Sequence, residues 1–201
     1  MDSSLPTRSR ILEGAARAIA RVGIRPVTVR DIVAAAGVSR RTFYQYFGDK
    51  EDVVLVLYEQ HHATLVQDVS EAVRAASTDA ERLRAPVDAY LEFQQRGGKL
   101  LGLLQAEAVN PESRLFAERE HVMDELVNLT RRAVAANRGP ALDPLLYRTL
   151  FLGLEDAVLH LRRGGPLAPD DRARMARNFH AIFAAVLSSA AADPQRFPGP
   201  Q

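Results

Sequence analysis

The sequence predicts an all-α protein of about nine helices: a three-helix, helix-turn-helix head followed by a larger helical body. Three observations predict it. Apolar residues recur at helical spacing along the chain, and no segment shows the alternation of a half-buried strand. Clusters of Gly, Pro, Ser, Thr and Asp punctuate the chain between these runs. Residues 28–50, TVRDIVAAAGVSRRTFYQYFGDK, read as two short helices joined by a tight turn at Gly37.

The elements follow in order. The first helix is TRSRILEGAARAIARVG, residues 7–23. Thr28 followed by Asp31 fits a capping box at the start of the second. Val29, Ile32, Val33 and Ala36 give that helix an apolar stripe, and Gly37 ends it because glycine enters the left-handed conformation without a Cβ clash. Ser39 caps the third helix. Asp49 can cap a long helix reaching about Ala76, with Val53, Val54, Leu57, Leu65, Val69 and Val73 on its apolar side. Ser77-Thr78-Asp79 opens a helix that stops at Gly97-Gly98, and LLGLLQAEAV at 100–109 is apolar nearly all round, which implies burial. Asn110-Pro111 stops that segment and starts the next helix, to about Asn137. Asp143-Pro144 opens a helix through Arg163 that ends at Gly164-Gly165, and Pro169-Asp170-Asp171 opens the last, through about Ala192. The expected domains are 1–48 and 49–201, with 49–76 the linking helix.

The third helix has two unlike faces. Phe43 and Phe47 are four apart and share the face that pins it to the second helix. Arg40, Arg41, Tyr44 and Gln45 occupy the other. A helix-turn-helix lays such a face in the major groove of DNA, where Arg donates bidentately to guanine and an aromatic side chain touches thymine methyl. Taken singly, the arginines read as a solvated pair, and Thr28 and Ser39 as caps alone. Their joint placement opposite the phenylalanines points to DNA. Charge agrees. Residues 1–50 hold nine Lys or Arg and four acids, net +5, whereas 51–201 hold 17 and 21, net −4. A basic head on a mildly acidic body is the footprint of a DNA-reading module attached to something else.

The run TVRDIVAAAGVSRRTFYQYFGDKEDV, with the upstream helix at 7–23, resembles the TetR family of bacterial transcriptional regulators over the first quarter of the chain. The resemblance implies that Thr28 touches a phosphate and that Ser39, Arg40, Arg41, Thr42 and Tyr44 belong to the recognition helix. It implies that Tyr46 meets the DNA backbone and that Lys50 takes a phosphate-binding position. Val33 departs from the family pattern, which usually has Ala where the two helices cross. The resemblance also implies a small-molecule effector pocket among the middle helices, for which Tyr90, Phe93, Leu101, Leu104, His121, Met123, Glu125, Asn128, Phe151 and Glu155 are the candidates. Each has a plainer reading: the aromatic and Met positions as core, His121 with Glu125 as an exposed pair, and Glu155 as part of a charge stripe.

Helices near 145–163 and 170–190 carry surplus apolar surface, including Leu145, Leu150, Phe151, Phe179, Ile182 and Phe183, with Ala181, Ala184 and Ala185 beside them. By resemblance these form a four-helix homodimer bundle; the alternative is that both are central core helices.

Composition excludes several classes. At 47% hydrophobic and 25% charged residues, the chain is that of a soluble globular protein. It has no cysteine, hence no disulfide or thiol chemistry, and no apolar run long enough to span a bilayer. The expectation is a cytoplasmic protein with no membrane partner. No nucleophile elbow, phosphate loop or metal motif is present, and His61, His62, His160 and His180 lack metal-ligand spacing. No enzymatic activity, cofactor or metal is expected. The partners are an operator in double-stranded DNA, a second copy of the chain and an apolar or aromatic effector that releases DNA. The alternative is a TetR-like activator, or a helical interaction protein that no small ligand controls.

Overall fold

The computed structural model describes residues 6–162, 166–193 and 196–197, and among them are nine α-helices. They are α1 Thr7–Val22, α2 Val29–Ala36, α3 Arg40–Tyr44, α4 Lys50–Ala75, α5 Asp79–Arg96, α6 Gly98–Ala108, α7 Leu115–Ala136, α8 Pro144–Leu161 and α9 Pro169–Ala192. The chain divides into two compact units. One is Met1–His61 with Lys99–Glu118, the other His62–Gly98 with Arg119–Gln201. Helix α4 therefore supplies Lys50–His61 to the first unit and its remainder to the second.

Most boundaries fall where the local chemistry puts them. Thr28 and Asp31 form a reciprocal capping box, and Thr78 and Glu81 form another at α5. Gly37 ends α2 in the left-handed region, at φ 64°. Asp143 accepts from the Leu145 amide ahead of Pro144. The start of α7 differs from the expectation at Pro111. Asn110 accepts the Glu112 amide on its side chain and the Ser113 amide on its carbonyl, and Ser113 Oγ accepts from Leu115. These bonds hold 110–113 as a turn, so the helix begins at Leu115. At the other end of the body, Arg162 is the C-cap of α8, and the expected stop at Gly164-Gly165, with Arg163, lies outside the described residues.

The first unit is built on Ile11, Ile19, Ile32, Phe43, Phe47, Val53 and Tyr58, all buried in one cluster that also takes in Leu104, Ala108 and Leu115. Helix α6 thus serves the core of the head, although the sequence places it in the body. Arg114 reinforces this arrangement by reaching Asp49 and Asp52 at 3.0 Å each. The crossing of α1 and α2 is made by Gly14 and Ala36: a Cβ on Gly14 would lie 2.6 Å from the Ala36 Cβ. Val33 is half-buried against the cluster, so the departure noted in the sequence falls beside the tightest point, not on it.

In the second unit the inward faces of α8 and α9 bury Phe151, Leu154, Val158, Met175 and Phe183. Arg119 of α7 pairs with Glu155 of α8 across their mostly buried side chains, and Arg148 reaches back to Glu120 and Asp124. Arg162 donates to the Gln94 carbonyl at 2.6 Å and to the Gly98 carbonyl, tying the end of α8 to the α5–α6 joint. Burial pushes its guanidinium pKa downward.

Candidate nucleic-acid interface

The recognition segment is short because its caps are close together. Ser39 Oγ accepts from the Thr42 amide at 3.0 Å and shares a 2.8 Å hydrogen bond with Thr42 Oγ1. Helix α3 then runs only from Arg40 to Tyr44 before tightening, with the Gln45 and Tyr46 amides donating to the Thr42 and Phe43 carbonyls. Phe43 and Phe47 still share the inner face, their ring centroids 5.9 Å apart and both rings buried. The outer face is set by exclusion. Arg40, Arg41, Tyr44, Gln45 and Tyr46 are all exposed, the two tyrosines at 47% and 46%. Two large aromatic side chains left in water beside two guanidiniums form a surface with no use for the protein's own core. Arg40 lies over the Tyr44 ring at 5.6 Å and donates to its hydroxyl at 3.3 Å, which holds both side chains in a fixed relation.

The flanking contacts divide into those that face outward and those spent on the motif itself. Thr28 Oγ1 donates to Asp31 at 2.6 Å, so its proton is committed within the cap. Hydrogen bonds from the Thr28 side chain and backbone hold the Asp31 carboxyl below the usual carboxylate range. A depressed carboxylate keeps its stabilising contribution above the unfolded pKa and loses it as pH falls through the folded one, so the cap is intact at neutral pH. Lys50, expected at a phosphate, makes its hydrogen bonds within the protein. Its ammonium donates to the carbonyls of Ile24, Arg25 and Val27 at 3.3, 2.9 and 3.0 Å. An ammonium has three protons, and these three carbonyls take them. Lys50 clasps the α1–α2 connection, adding charge to the surface while its hydrogen bonds stay inside.

Sequence reasoning missed two similar clasps. Arg10 donates to the Gly37 carbonyl at 2.8 Å and Arg17 to the Ala35 carbonyl at 2.8 Å. Both satisfy the open C-terminal carbonyls of α2. The signal available was their spacing: two arginines seven apart on α1 lie on one helical face. Part of the basic excess of the head is therefore structural.

The comparisons with known proteins match this geometry. Residues 11–57 match the model of bacterial regulatory proteins of the tetR family. The chain is 31% identical over 163 residues to the HTH-type transcriptional repressor AcnR of Corynebacterium efficiens, covering 78% of this chain and 80% of that protein. The chain belongs to the TetR family of bacterial regulatory proteins. It is also 31% identical over 86 residues to the HTH-type transcriptional activator FasR of Mycolicibacterium smegmatis, covering 43% of this chain and 39% of that one. Its fold is shared with the fatty acid degradation regulator FadR of Bacillus halodurans, with TM-score 0.72 and 22% identity over 90% of this chain and 96% of that one. The protein is a DNA-binding transcription regulator, and its homologues have a non-enzymatic role.

As a TetR-family body, the second unit is less close to the expectations. Of the ten ligand candidates, Phe151 lines an apolar seam and Asn128 borders a separate open cleft. Tyr90, Phe93 and Met123 are buried. Leu101 and Leu104 fall in the first unit, Leu104 in its core. His121 and Glu125 are 3.9 Å apart as an outward pair, and Glu155 is taken by Arg119. Leu150, Phe179 and Phe183, read from the sequence as surplus apolar surface, also line the seam, together with Leu83, Pro86, Val87, Thr130 and Tyr147, which the sequence did not single out. Their one legible signal was Pro86, a proline inside α5. Among the described residues there is no cluster of metal-ligating side chains, and no helix is long and apolar enough to cross a membrane.

Proposed function

We propose that this regulator is a cytoplasmic homodimeric repressor that reads a palindromic operator with the outer face of α3 and leaves it when an apolar or aromatic effector binds the second unit. The observation that carries the reading is the exposed Arg40, Arg41, Tyr44, Gln45 and Tyr46 surface backed by buried Phe43 and Phe47. Arg41 and Tyr44 make the base contacts. Thr28, Ser39 and Thr42 position the helix ends and Tyr46 meets the backbone, within a DNA-binding domain at 1–48. Repression is preferred because the relative that aligns over four fifths of its own length is a repressor, whereas the activator aligns over 39% of its length. Dimerisation is supported by apolar and small side chains left outside: Leu145 at 64% and Ile182 at 46% exposure, beside exposed Ala181, Ala184 and Ala185. Two copies place two heads on half-sites about one helical turn, or a multiple, apart.

The direct test is an operator titration by gel shift. Arg41→Ala and Tyr44→Ala are each expected to weaken binding by about 1–3 kcal/mol while the protein stays folded. Unchanged affinity in both variants removes α3 from recognition.

The effector reading rests on the seam between α5, α7, α8 and α9. Its volume is about 20 Å³, room for about one water, whereas ligand sites span about 300–1,000 Å³. An effector must therefore wedge the helices apart. Pro86 eases this, because it has no N–H to return to the Arg82 carbonyl and interrupts the α5 ladder at the seam wall. Helix α4, with one part in each unit, carries the change to the head. Linkage then requires operator DNA to weaken effector binding by the same factor, typically about 1–3 kcal/mol of coupling. Calorimetric titration of a candidate effector with and without saturating operator checks this, and equal affinities reject that compound as an inducer.

A further inference from the structure

The end of α7 carries a second concavity, of different chemistry from the seam. Its volume is about 480 Å³, already within the range of small-molecule sites. Asn128, Arg131 and Arg132 of α7 line it together with Pro140, Ala141 and Tyr147. The connection that builds the apolar side is held tightly. Arg138 adopts a left-handed φ of 53°, the Gly139 amide donates to the Val134 carbonyl at 3.0 Å, and Asn137 accepts from Arg82 at 2.6 Å. A Cβ on Gly139 would lie 2.6 Å from Val134 Cγ1, so the loop is seated directly on α7. Leu142 is buried at its far end. The concavity is thus a preformed feature of the fold.

We propose that this cleft binds a carboxylate carried on a flat aromatic body, with Arg131 and Arg132 taking the anion and Pro140 and Ala141, which present the accessible apolar surface, taking the ring. The two halves of the lining demand a two-part ligand. Guanidinium groups match a carboxylate through paired N–H donors, and Arg131 is already oriented by Asn128 Oδ1 at 3.3 Å. A small inorganic anion satisfies the arginines and leaves Pro140 and Ala141 wet. A neutral hydrocarbon covers them and leaves the guanidiniums without a counter-charge. Tyr147 borders the cleft on one side and the apolar seam on the other. Burial pushes its hydroxyl up to about 12, against the pull of the Arg131 charge.

The site goes beyond the effector reading, and binding at it is tested without DNA. Isothermal calorimetry of the full chain with naphthoate is expected to show saturable binding at one site per chain. The double variant Arg131→Gln, Arg132→Gln is expected to weaken naphthoate about tenfold or more, the loss of charge-assisted hydrogen bonds at an exposed site. Both side chains are on the outer face of α7, so circular dichroism of the variant is expected to match the parent. The neutral naphthyl alcohol is expected to bind more weakly and to be indifferent to the substitutions. Absence of saturable naphthoate binding, or equal affinity in the double variant, overturns the proposal. The second result would leave the seam effector standing, because only the cleft depends on these arginines.

Discussion

Replacing Gly14 by alanine is expected to destabilise the DNA-binding head by about 1–3 kcal/mol, the cost of overpacking a close contact. The sign is opposite to what helix propensity alone gives, since alanine in a helix interior is favoured over glycine by about 1 kcal/mol. The geometry decides between them. The new Cβ would lie 2.6 Å from both the Ala36 Cβ and the Ala36 backbone nitrogen. A backbone atom cannot swing aside as a side-chain tip can, so α2 must move off α1. That shift displaces the Arg10 and Arg17 clasps on the end of α2 and, through Gly37, the α3 segment. The expected result is a lower melting midpoint by circular dichroism together with loss of operator binding. A midpoint equal to or above the parent would show that the crossing is looser than 2.6 Å requires.

The second large effect concerns assembly. Ala184→Glu is expected to abolish the homodimer while leaving the protomer folded. Ala184 is exposed, so in a lone chain the new carboxylate sits in water at little cost. In a two-fold seam it enters twice, facing apolar and small side chains and its own symmetry mate, and burying such an ion carries a penalty of several kcal/mol after relaxation. Operator affinity falls further, because two linked heads bind with an effective concentration that single heads lack. Light scattering with the DNA titration reads both effects. A dimer that persists in Ala184→Glu places the association surface elsewhere.

The legible and illegible parts of the chain differ in the range of the forces that set them. Thr28 with Asp31, Gly37, Ser39 and the Phe43–Phe47 spacing announce themselves, because caps, left-handed glycines and i,i+4 pairs act within one turn. The same locality makes the α5 and α8 starts readable at Thr78 and Asp143. Pro111 misled because Asn110 and Ser113 capture the following backbone first, a competition between two local signals that residue preference alone does not resolve.

The sequence by itself determined that this is an all-α regulator with a helix-turn-helix head, and which aromatic and basic residues oppose each other on α3. Only the tertiary structure decided that Lys50, Arg10 and Arg17 turn inward onto carbonyls, that α6 joins the core of the head, and that Glu155 belongs to Arg119. It also decided where the cavities lie: between helices whose lining residues are separated by up to about a hundred positions in the chain. Periodicity shows that a helix has an apolar face, but not which other helix covers it. An arginine likewise has the same pattern whether its partner is a phosphate or a carbonyl, because its chemistry is decided by what the fold brings within about 3 Å.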